Sequence, residues 1–177
     1  MVNENSTLKE AKDWLRERLG EGAQCPCCTQ FAKKYPRTIH STMARQLIAF
    51  YHASQEAGLS SVNGQFPFVE WAKVMPQEFH AQRGTDFVKL AYWGLIEEQP
   101  NTDPDRRSSG FWRLLPKGVD FVTGKLGVKK RAIIYSNRVL AFEGDVVYIR
   151  DCLGDKFSYS ELMTPPTGQA ELFTGGS

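Results

Sequence analysis

Residues 90–118 read LAYWGLIEEQPNTDPDRRSSGFWRLLPKG and constrain the fold more than any other stretch of the chain. The spacing predicts a helix from about Gly84 to Tyr92, capped by Thr85, with Phe87, Leu90 and Ala91 facing inward. Gly94 ends that helix and "GLIEE" enters a strand. "PNTDPDRRSSG" is a turn-rich tip, and "FWRLL" returns as the antiparallel partner. "PKGVDFVTGK" then opens a short helix with proline in its first turn. Two arginines at a solvated tip pack against little. They are placed to reach a phosphate or a narrow minor groove, while the preceding helix has the length to lie in a major groove.

The same residues resemble the wing of MarR-type winged helix–turn–helix regulators. That pattern runs from the end of a recognition helix through Gly94, Leu95 and Ile96, into a wing with Asp105, Arg106 and Arg107, and out through Leu114 to Gly118. Leu115 stands where the pattern has threonine, and the likeness covers about 30 residues. The resemblance implies a winged helix–turn–helix core that binds double-stranded DNA, as in transcription regulation. It places Arg106 and Arg107 on the wing and Arg83, Thr85 and Lys89 on or near the recognition helix. Asp86 beside them would repel phosphate or accept from a cytosine amine. Because winged helices also serve as protein-binding scaffolds, an adaptor or inhibitor that docks on a partner protein is the alternative.

A second constraint is "QCPCCTQ", Gln24 to Gln30, followed by the basic run "FAKKYPR". Cys25-x-x-Cys28 with proline after the first cysteine is half of a zinc knuckle. A tight turn lets two thiolates reach one ion, and zinc takes four ligands. His40 is the candidate third ligand, with Cys27, His52, His80 or Cys152 as fourths, which would give one structural Zn²⁺. Plain reduced thiols are the competing reading. Redox catalysis is disfavoured because "LRERLGEGAQ", and not a buried apolar strand, precedes the motif. Three crowded cysteines with Cys152 far off do not form a disulfide framework.

Net charge is only +2, but the positive charge is clustered. Residues 29–55 hold no acid and carry Lys33, Lys34, Arg37 and Arg45; residues 101–150 hold ten Lys/Arg against five acids. Lys33, Lys34 and Arg37 are therefore added to the candidate nucleic-acid contacts. No apolar run reaches the roughly 20 residues of a membrane span, and the polar start lacks a signal-peptide centre. No membrane partner and a cytoplasmic location are expected. None of the phosphate-cradling, nucleophile-elbow or metalloprotease motifs occurs, so no enzyme is expected. A homodimer is compatible with either binding reading.

The expected class is α+β, with four regions. Residues 1–37 form an N-terminal helix (Leu8, Ala11, Trp14, Leu15 and Leu19 on one face) and the cysteine knuckle. Residues 38–126 form the winged helix–turn–helix domain, opening with a helix that carries Met43, Leu47, Phe50 and Tyr51 as an apolar stripe. Residues 127–163 form a small antiparallel β meander, with three runs separated by "SNR" and "EGD". Residues 164–177 form a flexible tail.

Overall fold

The computed structural model of the chain describes residues 2, 5–56, 66–80 and 85–164, which form a mixed α+β structure in two units. One unit takes residues 1–38 and 129–145, the other 39–128 and 146–177. Helix α1, Leu8–Arg18, begins in a capping box. The Thr7 hydroxyl accepts from the Glu10 amide, and the Glu10 carboxylate accepts from the Thr7 amide at 2.8 Å. Strands β1, Ala23–Gln24, and β2, Phe31–Ala32, make a two-stranded hairpin around the cysteines.

Strand β3, Tyr35–Thr38, pairs antiparallel with β7, Val128–Tyr135, with Tyr35 opposite Ile134 and Thr38 opposite Arg131. The third strand of this sheet is β8, Arg138–Val147, in the order β3-β7-β8. Ser136 and Asn137 join β7 to β8 with φ of 48° and 59°. Two consecutive left-handed residues are the signature of the tight hairpin turn whose twist matches its strands. "SNR" is thus the turn that the sequence predicts. "EGD" is not one, because β8 runs on through it and Gly144 absorbs the irregularity with φ +82°. The third strand of the expected meander comes instead from β3, and the segment after β8 is helical.

The other unit is built on α2, Ser41–Glu56. Its buried side chains Met43, Leu47, Ile48 and Phe50 are at most 2 % exposed. After it come β4 (Val69–Glu70), α3 (Trp71–Val74), α4 (Gln77–His80) and α5 (Thr85–Val88). Helix α5 tightens into a 3₁₀ turn over Lys89–Trp93. Residues three apart eclipse in that geometry, so Leu90 and Trp93 turn inward together, and both are buried. Of the predicted inward set Phe87 and Leu90 are buried, whereas Ala91 is half-buried. Gly94, at φ +67°, ends the turn and releases the chain into β5, Ile96–Glu98.

Strand β6, Phe111–Leu114, returns antiparallel and lies between β4 and β5. Helix α6 spans Pro116–Val122. The C-terminal helices α7 (Ile149–Leu153) and α8 (Tyr159–Met163) pack on α2. Phe87 sits at the centre of the core, with Phe50 at 4.9 Å, Trp112 at 5.8 Å and Trp71 at 6.0 Å between ring centroids. No helix among the described residues is long and apolar enough to cross a membrane.

Candidate nucleic-acid interface and cysteine knuckle

The loop between β5 and β6, residues 99–110, is braced at base and tip. At the base the Glu98 carboxylate accepts from the Ser109 amide at 2.9 Å and from the hydroxyls of Ser108 and Ser109. The Gln99 amide donates to Phe111 O at 2.9 Å. At the tip Asn101 accepts from the Asp103 amide (3.1 Å), Asp103 accepts from the Asp105 amide (2.9 Å), and the Asn101 amide group donates to Arg106 O. Successive Asx turns of this kind give a loop its own hydrogen-bonded frame. Arg106 and Arg107 project from that frame and are exposed.

Glu97, adjacent to Glu98, faces the other side of its strand. It pairs across the sheet with Arg113 at 2.6 Å, as its register opposite that residue requires. The sequence marks the tip as turn-rich; it does not mark Glu98 as the carboxylate that holds it.

The surface of α5 is less basic than its loop. Lys89 gives its ammonium to Asp86 at 2.7 Å, and Asp86 also faces His40 at 3.7 Å. Lys89 is therefore partly neutralised in place. Arg83 and the Thr85 side chain lie outside the described residues. Between α3, α5 and the loop lies an open cleft of about 300 Å³, with Trp71, Phe87, Val88, Arg106 and Trp112 among its walls. Val88 is 42 % exposed, and the buried Trp71 Nε1 has no hydrogen-bond partner among the described residues.

The other unit carries its own basic surface. Lys34 and Arg37 are exposed, and Lys33 is half-buried. Arg37 lies opposite Ala132 on β7, so it shares a sheet face with Lys130 two residues away, which is also exposed. Lys130 was not among the contacts expected from the sequence, because only the strand register brings it beside Arg37.

The cysteines sit in the hairpin loop between β1 and β2. The Cys25 amide donates to Gln30 O and the Thr29 amide to Cys25 O, both at 2.8 Å, and Thr29 takes φ +60° to close the turn. The Cys25 thiol is held below its ordinary range by the backbone N–H groups of Cys27 and Cys28, and then by the neighbouring Cys28 and Cys27 thiols. The Cys27 thiol is raised, by partial desolvation and by the neighbouring Cys25. Cys27 and Cys28 are exposed.

The other candidate ligands are engaged differently. His40 faces Asp86, His52 hydrogen-bonds Leu162 O at 2.8 Å, His80 hydrogen-bonds Met75 O at 3.0 Å, and Cys152 lies in α7. No group of three or more metal-binding side chains gathers among the described residues.

No known protein family, curated protein or solved structure matches this chain.

Proposed function

We propose that residues 39–128 are a winged helix–turn–helix module that binds double-stranded DNA, with residues 99–110 as its wing. One observation carries this reading: the order helix α2, strand β4, helices α3–α4, helix α5, strand β5, long loop, strand β6. Strand β6 lies central in the three-stranded sheet, and an arginine pair stands at the loop tip. Arg106 and Arg107 contact phosphates or the minor groove, and the braced wing frame keeps them there without a large ordering cost on binding. Lys34, Arg37 and Lys130 add non-specific phosphate attraction from the other unit.

Fluorescence anisotropy with random duplex DNA at low and moderate salt tests the proposal. Affinity that falls steeply as salt rises supports it, because each neutralised phosphate releases counterion. Folded protein that fails to bind at low salt refutes it.

The aromatic cleft favours a second reading, in which the same scaffold grips a protein. Its walls are Trp71, Phe87 and Trp112, with the exposed Val88 at its mouth and Arg106 at its rim, which suits an apolar side chain carried near a carboxylate better than it suits phosphate. A partner recovered by pull-down with wild type, and lost with Val88→Asp while duplex binding is absent, would select this reading.

A further inference from the structure

The sheet β3-β7-β8 has two edges, and they are not alike. The β3 edge is four residues long and holds Pro36, which lacks the N–H that a further strand would need. The β8 edge is ten residues long, contains neither proline nor lysine, and leaves Leu140 and Phe142 52 % and 45 % exposed. In the other three-stranded sheet the edge strands β4 and β5 have only two and three residues. Among the described residues β8 is therefore the long open edge, a ready template for another strand. We infer that two copies of this chain pair through β8, edge to edge and antiparallel, with Ala141 on the two-fold axis.

The hairpin turn sets which backbone groups are free. Ser136 and Asn137 form a two-residue turn, so Tyr135 and Arg138 flank it as a hydrogen-bonded pair. Bonding direction alternates along an antiparallel strand. Residues 138, 140 and 142 thus bond to β7, and the N–H and C=O of Val139, Ala141 and Glu143 point out of the edge. A symmetric pair has to match these outward residues with one another. Centring it on Ala141 matches all of them: Ala141 with its own copy and Val139 with Glu143, each pair exchanging both of its backbone bonds.

Side chains favour a second copy over an unrelated strand. In that register Leu140 of each copy faces Phe142 of the other in a non-hydrogen-bonded pair, where side chains lie closest. Charge is complementary as well. Arg138 stands at one end of β8 and Glu143 and Asp145 toward the other, and none of them makes an ion pair among the described residues. Antiparallel pairing brings Arg138 opposite Gly144 of the second copy, between its two acids, and Gly144 has no side chain to obstruct the arginine. A parallel pair in register would set like charge on like.

This inference does not rest on DNA binding. Sedimentation of the reduced full-length chain at rising concentration tests it, and the expected result is a monomer–dimer equilibrium. In hydrogen exchange followed by NMR, the amides of Val139, Ala141 and Glu143 should gain protection as dimer forms. Those of Leu140 and Phe142, already bonded to β7, should change little. Ala141→Pro removes an outward N–H and no bond to β7, so it should abolish the dimer and keep the circular dichroism of the fold. Arg138→Glu, which turns attraction into repulsion at both ends, should weaken dimerisation by about tenfold, and adding Glu143→Arg and Asp145→Arg should restore it. A chain still monomeric at about 1 mM, a dimer that ignores Ala141→Pro, or protection gained elsewhere and not at the outward amides would each overturn the pairing. The wild-type exchange pattern decides the matter even if the proline variant folds poorly.

Discussion

Gly118 lies on α6 where the helix crosses the strand entry. A Cβ there would come within 2.1 Å of the Leu95 carbonyl oxygen, which is backbone and cannot swing aside. The same carbonyl accepts from the Leu115 amide at 3.0 Å, so moving it breaks a bond as well. Gly118→Ala should therefore destabilise the fold by about 1–3 kcal/mol, read as a lowered Tm, and an unchanged Tm would mean the approach is not that close. In the sequence this glycine was legible as part of a wing pattern, but its reason, a helix pressed onto a strand carbonyl, depends on tertiary packing. Gln46 makes the opposite case. It is fully buried on α2, and neither amide atom has a partner among the described residues. Replacing it with methionine, of similar shape and without polar atoms, should raise stability by about 1–3 kcal/mol in denaturant titration, since an unpaired buried amide costs about that much. A polar residue at a core position of an otherwise regular stripe leaves no mark in the sequence.

At the level of elements, the legible parts were those with local causes: α1, α2, the β5–loop–β6 hairpin and the Ser136–Asn137 turn. Helix α1 shows how local. Glu10 has its carboxyl held below the usual range by the Thr7 amide and then by the Thr7 hydroxyl. A lowered folded-state value means that this support is present above the unfolded value and is lost as pH falls through the folded one. The Ala11 amide, which donates to Thr7 O, should therefore show a smaller protection factor, taken against the intrinsic exchange rate at each pH, as the solution is acidified. Thr7→Ala should abolish that pH dependence, and a persistent dependence would point to another group. For the wing, Arg106→Ala with Arg107→Ala should lower the salt slope of duplex binding by about 2, nearly one per phosphate lost. An unaltered slope would take the wing tip out of the contact. Glu98→Ala, which removes the brace and no positive charge, should instead speed hydrogen exchange across residues 100–110 and weaken binding with the slope little changed.

Across the whole molecule the two units differ in how much they bury. The unit around α2 holds most of the large buried side chains, whereas the other relies on Ala11, Leu19, Ala32, Ala132, Ile133 and Ile134. Less apolar area removed from water gives lower local stability, so amides of β7 should lose protection in native-state hydrogen exchange before those of α2. The reverse order would show that the small sheet is stabilised by more than its own core. This sheet is also where sequence reasoning stopped short. "YPRT" is exposed along its whole length and contains proline, so nothing in it announces a strand; it is tolerated because β3 is an edge. Its partner was unreadable because pairing Tyr35 with Ile134 is a decision made across most of the chain, and local pattern carries no register over that span.

That pairing also sets a timetable. A ribosome delivers β3 long before β7, and residues 39–127 must emerge before the first strand can be matched. Until then Tyr35–Thr38 is an unpaired strand, and the loop to be closed is residues 39–127, which hold α2, the β4-β6-β5 sheet and α6. Local structure formed early within that segment shortens the effective loop and so the search. On this view the segment between the two strands acts as the clasp that lets the smaller sheet close.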